Sequence, residues 1–344
     1  MKRSWFFVIG LVLLSTSIAS AQTPADGPYK VINSVKVGGD GGWDYVYADS
    51  ADRKLFIPRG NRVTVFDLDT LAPLGTIPDT NRVHGVVVDP DSGHGFASCN
   101  PVVMFDPKTL TTIKTIDVEG RPDGILLDPF THHVMILSHS DPNVTVINAA
   151  DGAVVGTIDL GGEPEQGASD GAGHLYIDLE NQNSIAVVDS AAMKCTGHYD
   201  ISSKGSGPGG MAMDVKNRIL FSFCHDPAVC VILNADTGNI LATLPTGQGV
   251  DAAEFNPATM EAFSSQGDGT LTVIKENSPT DFAVEQTVKT KTGARTSTLD
   301  SKTNQIYLIT ADFMAPASQP TGQTGGRRRR AIVPGSFTIL TVGR

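Results

Sequence analysis

The chain repeats one unit of about forty residues seven times, and this repetition restricts its fold more than any other feature. Each unit contains a first marker, an alternating apolar run that ends in an acidic residue or, once, in Asn. These markers end at Asp49, Asp89, Asp128, Asp170, Asp214, Asn256 and Asp300, at intervals of 39 to 44 residues. Self-similarity at this period is typical of folds that stack one supersecondary unit many times.

A second marker keeps the same register inside each unit. It reads VTVFD at Val63–Asp67 and VTVIN at Val144–Asn148. Short alternating apolar runs separated by Asp-Pro, Asp-Gly and Asn-x turns are typical of strands joined by tight turns, and helix signals are weak throughout. The pattern therefore predicts an all-β, seven-bladed β-propeller with four antiparallel strands per blade, whose sheets pack face to face around an axis.

The seventh unit lacks a fourth strand of its own. Strands are predicted near residues 295–299, 305–310 and 336–342, and an additional strand, Tyr29–Val37, precedes the first unit. We expect Tyr29–Val37 to complete blade seven as its outer strand, because joining the two ends of the repeat array in one sheet removes an open edge. The alternative is an open β-solenoid, which needs no such strand.

Residues 1–21 have the features of an export signal. Lys2 and Arg3 precede the apolar segment Trp5–Leu14, which is too short to span a bilayer, and Ala19–Ala21 fits the small-residue cleavage pattern. We therefore expect a signal peptide at 1–21, a single propeller domain at 22–344, no transmembrane segment after cleavage, and a periplasmic or secreted protein. The alternative is an uncleaved N-terminal anchor.

Charge restricts the class of partner. The net charge is −11, and an acidic surface repels phosphate groups, so general nucleic-acid binding is not expected. The exception is an insertion at 314–335 in the seventh unit, which contains Arg327–Arg330. Its composition favours a mobile, solvated loop; the alternative is an electrostatic arm over an acidic site, or a tether to an acidic partner.

Two segments resemble a known repeat family. Asn61–Leu71 (NRVTVFDLDTL) and Pro142–Gly152 (PNVTVINAADG) are similar to repeats of the YVTN-type, or YncE-like, β-propeller proteins. The resemblance covers essentially the whole chain after residue 21, although the Y-V-T-N signature itself is degenerate, for example at Phe56–Arg59. It implies the propeller fold and no particular activity, because propellers support many unrelated functions.

Functional side chains are expected where the inner strands begin beside the axis. The equivalent positions, five residues before each first marker, are Asp44, His84, Asp123, Glu165, Gly209, Asp251 and Arg295. Loops between second and third strands add three more residues to the same channel mouth, namely Arg59, His139 and His225. Varied polar residues on a repeated backbone predict a binding site for a polar or cationic ligand. The alternative is a wet mouth that binds nothing.

Trp43 lies beside this set, and the equivalent residues of the other blades are Val, Pro or Ala. Two interpretations remain open for its indole ring. It stacks on a ligand or attracts a cation at the mouth, or it packs as core between blades one and seven.

Covalent and cofactor chemistry is limited. Cys224 and Cys230 flank a turn in blade five, and we predict a disulfide between them because export permits oxidation; free thiols are the alternative. No cofactor is expected, since there is no haem-attachment or phosphate-loop motif. No metal site is expected either, because the mouth histidines come from different blades without local ligand spacing.

The residues therefore predict a monomeric, non-enzymatic binding scaffold. It would hold a small polar ligand, a peptide or a partner protein at the channel mouth. The alternative is a lactonase-type hydrolase acting on a sugar lactone at the same mouth. Its base, proton shuttle and oxyanion stabiliser would be Glu165, His84 and Arg295, respectively.

Overall fold

The computed structural model describes residues 27–314 and 331–344. In these residues, seven antiparallel four-stranded sheets surround a central axis and form a seven-bladed β-propeller, as predicted. The expected signal peptide at 1–21 and the arginines 327–330 lie outside the described residues. Within the described ranges, the structure contains no helix that is long and apolar enough to cross a membrane.

In blades one to six the strands follow one another outwards from the axis in chain order, and blade seven takes its outer strand from the start of the described chain. The closing strand comes first in the sequence as β1, Lys30–Lys36. Blade one contains β2 to β5, which are Tyr47–Asp49, Lys54–Pro58, Val63–Asp67 and Pro73–Ile77. Blade two contains β6 to β9, which are Val86–Asp89, His94–Ala97, Val102–Asp106 and Thr111–Ile116. Blade three contains β10 to β13, which are Pro122–Asp128, His133–Ser138, Val144–Asn148 and Val154–Ile158.

The remaining blades keep this order. Blade four contains β14 to β17, which are Pro164–Ser169, His174–Leu179, Ser184–Asp189 and Lys194–Asp200, with a single 3₁₀ turn, Glu180–Gln182, between β15 and β16. Blade five contains β18 to β21, which are Ser206–Asp214, Ile219–Asp226, Val229–Asn234 and Ile240–Pro245. Blade six contains β22 to β25, which are Val250–Asn256, Glu261–Gln266, Thr270–Ser278 and Asp281–Lys289. Blade seven contains β26 to β28, which are Ser297–Asp300, Gln305–Thr310 and Thr338–Gly343.

The ring is closed by an N-terminal strand, which confirms the prediction from the sequence. Strand β1 pairs antiparallel with β28 and becomes the outer strand of blade seven. Just before it, Tyr29 is 2% exposed and packs edge-on against Phe263 of blade six, at 5.3 Å between ring centroids. Its hydroxyl donates a 2.5 Å hydrogen bond to Glu261. The start of the described chain is therefore anchored to two blades.

The first marker of each repeat has a local structural cause. Its short polar side chain accepts backbone N–H groups in the turn that follows the inner strand. Asp49 accepts from Ala51 and Asp52, both at 3.0 Å, and the Asn256 side-chain oxygen accepts from Ala258 at 2.9 Å. Asn can accept the same backbone N–H groups as Asp here, because both carry a side-chain oxygen at the same distance from the backbone.

Apolar packing between blades forms the core. The described residues contain seven buried apolar clusters, and each one joins the facing sides of two neighbouring blades. In one of them, Phe56 of blade one meets Val86 and Phe105 of blade two. Both faces of every sheet are covered, which explains why strands such as Lys54–Pro58 contain unbroken buried runs.

An ion pair reinforces the joint between blades one and seven on the face opposite the mouth. Arg53 donates to the buried carboxylate of Asp300 at 2.8 Å and also pairs with Asp69 at 2.6 Å. Burial alone would raise the pKa of Asp300. The hydrogen bonds from Arg53 and Thr303 outweigh it and hold that pKa at about 2.

Ring closure is tested by comparing two shortened forms of the protein. The reference form begins at residue 22, and the first shortened form begins at residue 27 and keeps Tyr29 and β1. A form that begins at residue 38 should lose several kcal/mol of stability and aggregate, because truncating a single buried aromatic residue already costs about 3–5 kcal/mol. Thermal unfolding and light scattering measure both effects. Equal melting of all three forms would contradict the closure by β1.

The Arg53–Asp300 pair should make stability depend on pH at the acid end. The folded-state pKa of Asp300 is depressed, so its contribution is present above about pH 3.9 and is lost as the pH falls through about 2. Asp300→Asn keeps the turn hydrogen bonds, as Asn256 does in blade six, and should remove on the order of 2 kcal/mol of this dependence. Urea unfolding between pH 5 and pH 2 measures it. Arg53→Gln should likewise reduce the loss of stability between pH 5 and pH 2. An unchanged pH dependence of stability in both variants would contradict the assignment.

Candidate functional site

Six of the seven equivalent positions carry polar side chains, and the structure places these at one end of the channel. Two groups form. The first, called here the acid–histidine arc, consists of Asp44, His84, Asp123, His139 and Glu165, which come from blades one to four. The second is the ion pair of Arg295 with Asp251, at 3.0 Å, which joins blades seven and six.

Within the arc, two imidazoles alternate with three carboxylates. His84 Nδ1 is 2.8 Å from Asp44 Oδ2 and 3.1 Å from Asp123 Oδ1. His139 Nε2 is 3.4 Å from Asp123 Oδ2 and 3.1 Å from Glu165 Oε1. Asp123 therefore divides its two oxygens between the two histidines, and the arc is continuous across four blades.

The carboxylates control the protonation of these histidines. Hydrogen bonds to Asp123 and Asp44 raise the pKa of His84 to about 10, although burial opposes the shift. The Glu165 carboxylate, 3.1 Å away, raises the pKa of His139 to about 9. Both imidazoles are therefore cationic at neutral pH when nothing else neutralises the acids.

The mouth has a floor. Tyr45 of blade one donates a 2.8 Å hydrogen bond to Glu165 Oε2 of blade four, across the axis. Next to it, Gln166 accepts from the backbone N–H groups of Met211 and Ala253, at 3.0 and 2.9 Å. Beyond this layer, a cavity of about 170 Å³ follows the inner strands and is lined in part by Glu254. Burial raises the pKa of Glu254 to about 8.

Two residues of the site do not follow from the repeat count. Tyr45 lies one position after Asp44, and counting back from the marker selects a single residue per blade. Glu180 opens the 3₁₀ turn between β15 and β16, and burial, followed by the charge of Glu165, raises its pKa. Glu180 could have been found from the sequence. It is a polar residue in the loop between the second and third strands, and the same loop position supplies His139 in blade three.

Blade five contributes differently from the other blades. Its equivalent position is Gly209, and a Cβ atom placed there would lie 2.9 Å from His225 Nε2. His225 therefore fills the space that the absent side chain leaves, and burial lowers its pKa. The absence of a side chain at Gly209 thus leaves room for the His225 ring.

Two residues predicted to bind ligand instead have structural contacts. Trp43, which is partly buried, packs against Phe337 and Phe313, at centroid distances of 5.2 and 6.1 Å, as its core interpretation expects. Arg59 is 2% exposed; its guanidinium lies 3.4 Å over the Phe337 ring and donates to the Asp40 carbonyl at 2.6 Å. Both side chains therefore pack between blade one and blade seven.

Comparison with known proteins supports the architecture. No family model and no curated protein matches the sequence. A chain of a solved structure titled "Crystal Structure of Mitotic Checkpoint Complex" matches with a TM-score of 0.71 and 14% identity, over 87% of this chain and 95% of that one. The chain shares that fold. At this level of identity the likeness carries no information on ligand or activity.

The predicted disulfide is wrong. In the pairing of β19 with β20, Phe223 lies opposite Cys230 and Cys224 lies opposite Val229. Successive residues of a strand point to opposite faces, so Cys224 packs towards blade four and Cys230 towards blade six. Both thiols are free. A position beside a turn was not enough to predict which face each side chain takes.

The thiols should be unreactive in the folded protein. Burial raises the pKa of Cys224 to about 12 and that of Cys230 well above its usual value, so little thiolate forms and reagent has no access. A thiol-specific reagent should label neither residue until the protein is denatured. Mass spectrometry of a non-reduced digest reads the outcome, and a cross-linked peptide containing both residues would contradict the register.

Proposed function

We propose that the chain is an exported propeller of the YVTN type that binds a small polar ligand at the acid–histidine arc without transforming it. The observation that carries the proposal is the convergence of Asp44, Asp123 and Glu165 from three blades, each less than one fifth exposed. The sequence features of residues 1–21 support export, and the repeats at 61–71 and 142–152 support the family.

The charge of the mouth favours a ligand with cationic or hydrogen-bond-donating groups. Asp251 is a fourth acid at this end, and burial raises its pKa. Arg295 is the ion-pair partner of Asp251, and no Lys or Arg of the described residues forms an ion pair with the carboxylates of the arc. Protonated His84 and His139 balance two of the three carboxylates of the arc, so the arc keeps a net negative charge that a cationic or hydrogen-bond-donating group of a ligand can meet.

The geometry favours binding over lactone hydrolysis. A base and a proton shuttle must lie within hydrogen-bond reach of the same reacting group. Here Glu165 contacts His139 and Tyr45, whereas His84 contacts Asp44 and Asp123. Arg295 is paired with Asp251. The three residues of the hydrolase alternative are thus engaged with different partners.

Calorimetric titration tests the proposal. Metal-free protein in the presence of EDTA is titrated with amines, guanidines, amino acids, short peptides, sugars and sugar lactones. We expect saturable binding of at least one class. Glu165→Gln and Asp123→Asn should each weaken it about tenfold or more, since hydrogen bonds to charged groups contribute about 1.5–3 kcal/mol. Asp281→Asn, an exposed acid on the outer edge of blade six, is the control and should bind like the wild type.

Three results would count against the proposal. They are the absence of saturable binding across the panel, binding that both mouth variants retain, and turnover of a lactone that depends on Glu165. The last result would instead establish the hydrolase alternative.

A further inference from the structure

The acid–histidine arc has the dimensions of a metal-coordination shell. Asp44 Oδ2, His84 Nδ1 and one carboxylate oxygen of Asp123 all lie within 4.8 Å of one another. The imidazole nitrogen is 2.8 and 3.1 Å from the two oxygens. Around an ion with bonds of about 2.0–2.2 Å, neighbouring ligand atoms stand roughly 3.0–3.5 Å apart. Small side-chain rotations would therefore place an ion between these three atoms.

A second, independent observation comes from His139. Its Nε2 atom is buried, and it has no hydrogen-bond partner among the described residues. Carboxylate oxygens of Asp123 and Glu165 nevertheless lie only 3.4 and 3.1 Å away. The distances suit hydrogen bonds, but the directions do not. A buried nitrogen that the described residues leave unsatisfied, next to Asp123, indicates that the mouth lacks a partner for its polar groups.

We propose that the channel mouth binds one divalent transition-metal ion through Asp44, His84 and Asp123. The inference rests on the proposed ligand binding at the mouth and names the class of ligand. His139 and Glu165 lie beside these ligands, and the second oxygen of Asp123 is 3.4 Å from His139 Nε2. Three protein ligands leave at least one coordination position open to the mouth, as in metal sites that bind a further molecule.

The donor set restricts the ion. One imidazole nitrogen with two carboxylates suits Zn²⁺, Mn²⁺, Fe²⁺ or Ni²⁺. Ca²⁺ takes six to eight oxygen ligands, and Mg²⁺ keeps most of its waters, so both should bind more weakly. The sequence did not predict this site because its ligands come from blades one, two and three. No short motif brings them together; the fold does.

A similar cluster on the opposite face supplies the matched control. Asp89, Asp91 and His132 also lie within 4.8 Å of one another. However, Asp89 accepts hydrogen bonds from the backbone of Asp91 and Ser92 in its turn, and the side chains of His132 and Asp91 are 56% and 68% exposed. This cluster has the residue types of a metal site and lacks its burial.

The experiment uses protein without a histidine tag, stripped with EDTA and dialysed. It is titrated by calorimetry with Zn²⁺, Mn²⁺, Ni²⁺, Ca²⁺ and Mg²⁺, and elemental analysis counts the ions retained. We expect one equivalent of a transition-metal ion, bound more tightly than Ca²⁺ or Mg²⁺. His84→Gln and Asp44→Asn should each weaken it at least tenfold, and His132→Gln should leave both affinity and stoichiometry unchanged. Melting in EDTA verifies that each variant folds.

X-ray absorption of the zinc-loaded wild type gives a second readout that needs no variant. It should show imidazole scattering and only nitrogen or oxygen ligands in the first shell. Absence of stoichiometric binding, or binding that His132→Gln removes and His84→Gln retains, would overturn the metal site. An organic ligand that binds in EDTA while no metal binds would overturn this inference and leave the proposed function standing; failure of both titrations would remove both.

Discussion

The closure of the ring by β1 and β28 is the constraint on which the mouth depends. The members of the acid–histidine arc come from four blades, so their distances are set by inter-blade packing and by no local turn. Blade one carries Asp44, and it is held to blade seven by Trp43, by Arg59 over Phe337 and, at the far face, by Arg53 with Asp300. A ring that opened at this joint would separate the arc at its first member.

Much of the fold could be predicted from the sequence because its causes are local. Each marker residue caps a turn through its own side chain, and each strand alternates between two buried faces. Repetition then multiplies a weak local signal seven times. The closing strand could be predicted for a different reason: blade seven lacked a strand of its own, and one unassigned strand preceded the array.

The chemistry of the mouth was predictable only in part. Equivalent positions in a repeat identify which residues reach the axis, and this placed Asp44, His84, Asp123 and Glu165 together. The sequence could not predict which of these side chains pair with each other, because the pairing depends on side-chain rotations over distances of about 3 Å. The same limit applies to the contacts of Arg59 and to the two cysteines. Arg59 turned inwards onto an aromatic ring, and the faces taken by Cys224 and Cys230 followed from a register that differs by one residue from a bridging one.

The hydrogen bond from Tyr45 to Glu165 has a mechanical consequence. It links blade one to blade four, which are nearly opposite in the ring, whereas packing and ladder contacts join neighbours. It is a direct link across the axis, and its acceptor is a carboxylate of the mouth. If Glu165 turned to another partner, blades one and four would lose this hydrogen bond and would be joined only through the blades between them.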